Sequence, residues 1–267
     1  MISITQHSIA PWELLRRRLE AVQRGNVIEV LAQLPIGFRR SFSAGTEIFS
    51  ANGSSREAYL VVSGIAGEAR LLDEGRRQIL SLRLPGDVVL GDAREAVMSL
   101  TAVEVVDALP LMRVLGDYAP ERQGLRRTWV AAASAEQDML RDQVVRLGRL
   151  SAYERMAHFL VETHERLWHV GLAGPAEFHL PVRQDVVSDL LGLSVVHLSR
   201  VTQQLRRDRL AQMRSSYVTL MDREQLAAIG AYVSRFSSAP KGAHSPRTAP
   251  EVRRYANDQE LDRPQSA

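Results

Sequence analysis

Residues 180–213 read LPVRQDVVSDLLGLSVVHLSRVTQQLRRDRLAQM, and this stretch decides how the rest of the chain is understood. Val186, Val187, Leu190 and Leu191 recur at three- and four-residue spacing, which predicts a short helix with one apolar face. Gly192 follows at the position where a left-handed backbone costs glycine nothing, Leu193 plugs the turn, and Ser194 is placed to cap a second helix running to about Asp208. That second helix is expected to bury Val195, Leu198, Val201 and Leu205. Its opposite face carries His197, Ser199, Arg200, Gln203, Gln204, Arg206 and Arg207.

Two descriptions fit this pattern. One is an amphipathic hairpin with a solvated basic face. The other is a helix-turn-helix, whose second helix enters the major groove with arginine donating two hydrogen bonds to guanine while flanking Arg and Gln hold phosphates. The Gly-Leu-Ser turn, and the lack of acids on the second helix before Asp208, favour the second description. The series Asp185, Leu190-Leu191-Gly192-Leu193-Ser194-Val195-Val196-His197-Leu198-Ser199-Arg200 resembles the helix-turn-helix of the Crp/Fnr family of bacterial transcription regulators.

Composition narrows the alternatives. The 267 residues suggest two domains or one large one, and a net charge of +3 means that basic character has to be local to matter for nucleic acid. With no cysteine, the chain has no disulfide, no thiolate-held zinc and no Cys-ligated iron–sulfur cluster. No run of eighteen apolar residues is present and the N-terminus lacks a signal-peptide layout, so a soluble cytoplasmic protein without a membrane partner is expected. The sequence has no G-x-S-x-G, H-E-x-x-H, Walker A or G-x-G-x-x-G motif, and an enzyme is not expected.

The chain divides into five expected segments. Residues 1–35 form a helical arm: Pro11 opens a helix with Trp12, Leu15, Leu19 and Val22 as its stripe and Arg16, Arg17 and Arg18 on or near the other face, and a second short helix is expected over 27–34. Residues 36–117 change to short β-forming runs, 39–42, 47–49, 59–62, 66–72, 77–84 and 102–108, broken by glycine-rich turns. Leu80, Leu82 and Leu84 alternate with Ser81 and Arg83, which predicts one buried face. A barrel or jelly roll follows from so many short strands. The runs Ala44-Gly45-Thr46, Tyr59-Leu60-Val61-Val62-Ser63-Gly64, Gly75-Arg76-Arg77-Gln78-Ile79-Leu80 and Leu84-Pro85-Gly86-Asp87 resemble, in order, the cyclic-nucleotide-binding-type β-roll of the same family.

Members that bind a cyclic nucleotide carry Phe-Gly-Glu and then Arg-Ser or Arg-Thr after the Pro-Gly-Asp turn. Here Leu90-Gly91-Asp92 and Leu100-Thr101 stand in those places, over a shorter interval. Leu100 replaces the arginine that pairs with phosphate, so cyclic-nucleotide binding is not expected. No histidine lies between His7 and His158, which leaves the roll a poor ligand set for haem or a metal. No cofactor is expected.

Residues 118–148, opened by Pro120 with Glu121 in the first turn, read as one long helix. Val130, Ala133, Gln137, Leu140, Val144 and Leu147 fall on an a/d seam flanked by charge, which suits a self-paired helix better than one buried on its own β-roll. The resemblance implies that this is a homodimer axis. Gly148 is expected to interrupt the helix, with Ser151 and Glu154 forming a capping box for the next.

Residues 149–236 then form a DNA-binding domain. A helix over 151–170 turns Met156, Phe159, Leu160, Leu167 and Trp168 inward and leaves His158, His164 and His169 at a surface or interface. A short strand at 177–180, a hairpin of 210–213 with 217–221, and a last helix capped by Asp222 and reaching about Phe236 complete a winged helix. Carried over from the family, the base-reading positions fall on Val196, Ser199 and Arg200; Val196 departs from the family, which places Glu there, so the acceptor for cytosine is missing. Residues 237–267 are rich in proline and poor in large apolar residues, and disorder is expected.

The expected architecture is therefore α+β: a β-roll, a long dimerisation helix and a C-terminal winged helix-turn-helix. The resemblance implies a homodimeric transcription regulator on a pseudo-palindromic promoter site, with double-stranded DNA, a second copy and RNA polymerase as partners. A regulator without a small-molecule input, controlled by its own abundance, is the alternative.

Overall fold

The structure, a computed structural model, describes residues 9–21, 39–49, 58–72, 77–90, 98–102, 106–110 and 122–236. The expected helix at 27–34, the hairpin turn at 73–76, the Leu90-to-Leu100 interval over 91–97, Pro120 and Glu121, His7 and the tail from 237 lie outside the described residues.

Strands β1 (Arg40–Phe42), β8 (Val106–Pro110), β3 (Ala58–Ser63) and β6 (Val88–Leu90) form one antiparallel sheet in that spatial order. β2 (Glu47–Phe49), β7 (Met98–Ala102), β4 (Ala66–Leu71) and β5 (Arg77–Arg83) form the other. The unbroken apolar run of β3 suits its central place between β8 and β6. Tyr59 and Val61 meet Ala66, Val89, Val106 and Ala108 in the roll's core, with Phe42 edge-on to Tyr59.

Two expectations for the roll are corrected. The single strand expected over 102–108 is two strands, β7 and β8, and β6 is an additional one. The predicted alternation along β5 is broken by a bulge: Glu68 faces Ser81 but Ala69 faces Ile79, so Leu80 slips out of register. Leu80 is consequently only half-buried, while Ile79, Ser81, Leu82 and Arg83 are all buried. Arg83 is tolerated there because Glu68, across the hairpin, and Glu136, on the long helix, both accept from it.

The arm helix α1 (Pro11–Ala21) packs on β3 and on the two helices that follow. It buries Leu14, Leu15 and Arg18, so Arg18 is not on the outward face as the stripe suggested. Helix α2 (Arg122–Arg149) runs through Gly148 without interruption, and the break comes at Leu150. Ser151 then caps α3 (Ala152–His169) with the expected box: its Oγ accepts from Glu154 N, and Glu154 Oε2 accepts from Ser151 N at 2.7 Å.

Beyond α3, β9 (Glu177–His179) joins a small sheet ordered β10 (Ala211–Arg214), β11 (Tyr217–Leu220), β9. Helices α4 (Gln184–Leu191) and α5 (Val195–Arg207) lie between β9 and β10 in the chain. The last helix, α6 (Arg223–Ile229), is capped by Asp222 as expected but stops well short of Phe236. The chain leaves the helix at Ala231, which takes φ 47°, directly after Gly230 packs so closely on α3 that a Cβ there would stand 2.5 Å from the backbone nitrogen of His158. From that point residues 231–236 run back across α3 and α2. No helix of the described residues is long and apolar enough to cross a membrane.

Candidate nucleic-acid interface

The α4–α5 turn is built by local chemistry. Gly192 takes φ 63°, and the Leu193 N–H donates to Ser188 O at 2.9 Å, closing α4. Ser194 Oγ accepts from His197 N at 3.2 Å, satisfying a free donor at the start of α5. Leu198, Val201 and Leu205 are buried against α3 and β10, which fixes the rotation of α5. Val195 is not part of this apolar back, contrary to expectation: it opens the helix and is exposed.

With that rotation set, the opposite face is open. Val196 is 63% exposed, and His197, Arg200, Gln203, Gln204, Arg206 and Arg207 are exposed with it, while Ser199 sits half-buried between them. Among the described residues no carboxylate pairs with Arg200, Arg206 or Arg207. The acid that ends the helix, Asp208, is engaged from behind by the Tyr153 hydroxyl at 2.5 Å. Guanidiniums on this face thus keep every donor available for an outside acceptor.

Two cations escaped the sequence reading. Arg209, exposed, holds φ 58° between α5 and the wing, and Arg214, exposed, precedes the wing turn, where Ser215 holds φ 49°. The basic residues themselves were readable as flanks of the hairpin. The left-handed backbone at Arg209 was not, because glycine or asparagine is the usual signal for it.

On α2, Val130, Ala133, Gln137 and Val144 are exposed, and Leu140 and Leu147 are half-buried. Val145, 55% exposed, belongs to the same open surface and was not singled out. Leu147 also reaches the helix-turn-helix: its Cδ2 is 3.3 Å from where a Cβ of Gly192 would be. Arg155 ties the parts together by donating to Leu147 O, Leu150 O and Leu191 O, and Gln143 donates to Leu190 O at 2.6 Å. From the β-roll, Arg77 Nε donates to Asp189 Oδ2 at 2.8 Å and Gln78 Nε2 to Asp189 O at 2.7 Å, so the β4–β5 hairpin holds α4 directly.

Behind α4 and α5, where the β-roll meets α3, lies a buried ionic cluster. Asp87, in the Pro85-Gly86-Asp87 turn, accepts from Arg166 at 2.5 Å and pairs with Arg18 at 3.1 Å, and the Leu84 N–H donates to it at 2.8 Å. Burial pushes the Asp87 carboxyl up, but Arg166 and Arg18 outweigh it and hold it below the usual carboxylate range. Glu162 pairs with Arg146 and Arg166 in the same cluster. His158 and His164 are buried rather than at the surface: one ring nitrogen of each bonds a backbone carbonyl, Gly230 O and Gly174 O respectively, at 2.9 Å. Burial lowers both pKa values, helped by Arg146 at His158, so both rings are neutral at pH 7. Among the described residues no group of three His, Cys, Asp or Glu is placed to hold a metal ion.

Comparison with known proteins agrees with this geometry. A Crp-like helix-turn-helix domain model matches residues 154–229. The chain is 31% identical over 199 residues to the nitrogen fixation regulation protein FixK of Bradyrhizobium diazoefficiens, covering 73% of this chain and 83% of that protein. It is 30% identical over 188 residues to the transcriptional activatory protein AadR of Rhodopseudomonas palustris, covering 69% and 77%. The solved structure of FixK2 from Bradyrhizobium japonicum superposes with a TM-score of 0.62 at 26% identity, over 76% of this chain and 98% of that one. A β-roll, a long helix and a winged helix-turn-helix in this order, together with that identity over most of the chain, place it in the Crp/Fnr family of DNA-binding transcription regulators.

Proposed function

We propose that two copies associate along α2 and set their α5 helices into major grooves of a pseudo-palindromic promoter site, one helical turn apart. The observation that carries this reading is the α5 face: exposed, basic, without ion pairs among the described residues, and held in rotation by Leu198, Val201 and Leu205. Arg200 reads a guanine, Ser199 contacts the neighbouring base, and Val196 meets a thymine methyl in place of an acidic reader of cytosine. His197 supplements this readout. Gln203, Gln204, Arg206 and Arg207 lie further along the helix, towards the phosphates. Support for pairing through α2 comes from the open apolar side chains of Val130 and Val144, 63% and 71% exposed.

The protein acts in the cytoplasm as a regulator rather than an enzyme, with RNA polymerase as its partner at the promoter. The segments proposed to do this are the arm over 1–35, the roll over 36–117, the dimerisation helix over 118–148, the DNA-binding domain over 149–236 and the tail over 237–267.

Binding of the purified chain to promoter fragments across a salt series tests the reading. The expected result is affinity that falls steeply and linearly in log–log form with salt, with a slope of about −0.9 per phosphate neutralised. Salt-independent or undetectable binding contradicts it.

A further inference from the structure

A small cavity lies where α1, α2 and α3 meet the returning segment 231–236, away from both the recognition face and the interior of the β-roll. Its apolar walls come from Ala135 and Met139 of α2 and from Phe236, over whose ring the Arg18 guanidinium stacks at 5.2 Å. Arg18 and Arg166 both line it, and each is 6% exposed.

The hydrogen bonding of these two arginines is incomplete. Arg18 uses Nε on Asp87 and Nη2 on Met139, and Arg166 uses Nη2 on Asp87 and Leu82 O and Nη1 on Glu162. Arg18 Nη1 and Arg166 Nε are buried without a partner among the described residues. A buried donor left unsatisfied costs about 1–3 kcal/mol, so two at one site call for an acceptor.

Charge points the same way. The lining carries three cations, Arg18, Arg166 and Arg235, and three carboxylates, Asp138, Asp142 and Glu162, and it is polarised: Arg18 and Arg166 gather at the inner end with Asp87 and Glu162, whereas Asp138 and Asp142 stand at the outer end. Burial disfavours the Arg18 cation and Asp87 only partly offsets it, so a further anion would stabilise the group. At the outer end Arg235 is already spent on Asp138 and Asp142.

We propose that this cavity binds a small carboxylate, whose oxygens accept from Arg18 and Arg166 and whose short carbon body rests on Ala135, Met139 and Phe236. A planar carboxylate matches the guanidinium donors. Once seated it ties the arm and the long helix to the first helix of the DNA-binding domain, and so alters affinity for the operator. This last step rests on the regulator reading given above. The carboxylate comes from either a simple organic acid or a free amino acid, which would add its ammonium near the outer acids.

The test titrates the full-length protein with acetate, succinate and alanine separately, at ionic strength matched with chloride, following binding by calorimetry and operator affinity by fluorescence anisotropy. At least one of the three is expected to bind saturably and to shift operator affinity. Alanine against acetate and succinate tells the two sources apart. Ala135→Leu fills the space while leaving both arginines, and Arg18→Lys keeps the charge beside Asp87 while removing Nη1. Each is expected to weaken binding about tenfold or more and to abolish the affinity shift. No saturable binding, binding that neither variant weakens, or binding that leaves operator affinity unchanged overturns the inference. Operator affinity without ligand, measured in the same samples, keeps this failure separate from a failure of the regulator reading.

Discussion

Arginine occurs in two opposite settings in this molecule. On α5, Arg200, Arg206 and Arg207 are exposed and have no acidic partner among the described residues. At the junction behind it, Arg18, Arg83, Arg146 and Arg166 are buried and each is held by a carboxylate. The difference lies in what the fold supplies to the same side chain. Along α5 no acid appears before Asp208, so the guanidiniums remain available to bases and phosphates. At the junction Asp87, Glu68, Glu136 and Glu162 pair with these cations and tie the arm, the roll and the long helix to α3, although each of the four arginines keeps one buried nitrogen without a partner among the described residues.

The largest effect should come from breaking the junction. Asp87→Asn leaves Arg18 and Arg166 buried without their shared counter-charge, and a loss of about 3–5 kcal/mol is expected in urea unfolding. An unchanged midpoint would show that the cluster is not the structural tie it is taken to be.

Next in size is the α5 face proposed to read DNA. Arg200→Ala should cost about 1–3 kcal/mol at one base pair and relax specificity there, with the unfolding midpoint unaltered. Loss of stability without loss of specificity would reverse the contrast between the two sets of arginines.

A smaller, pH-dependent effect separates the junction from the rest. The folded pKa of His158 lies below its ordinary value of 6.5, first through burial and then through Arg146. Below about pH 6.5 the unfolded chain therefore takes up a proton that the native state refuses, and stability falls with falling pH. His158→Asn retains a donor for Gly230 O and should flatten that slope in part, since His164 shares the behaviour. A slope unchanged by the substitution places the sensitivity elsewhere.

Smallest is the expected gain from Gln137→Leu, an exposed polar position on the α2 seam. It should tighten the dimer by about 1 kcal/mol per copy through apolar burial, read by sedimentation equilibrium. Unchanged dissociation argues against pairing through this face.

The two settings also explain what could be read from the sequence. The α4–α5 turn was legible because its signals are local: Gly192, Ser194 and a three-to-four-residue apolar period within about thirty positions. The Ser151–Glu154 cap was legible for the same reason. Arg18 was misplaced because the residue that buries it, Asp87, is far away in the chain and belongs to another element. Histidines 158 and 164 were misplaced similarly, since the carbonyls that receive them come from Gly230 and Gly174 after the chain has turned back. At β5 a single bulged residue, Leu80, undid a period-two reading, and nothing in the local pattern marked it.

The central claim is that two α5 helices read one DNA site together. Selection of bound fragments from a randomised duplex library by the full-length protein tests it most directly. The account predicts enriched sites made of two inverted half-sites with centres about 10–10.5 base pairs apart, each with an invariant guanine that becomes degenerate in the Arg200→Ala protein. Enrichment of a single unrepeated motif, or of sequences indifferent to half-site spacing, would contradict it.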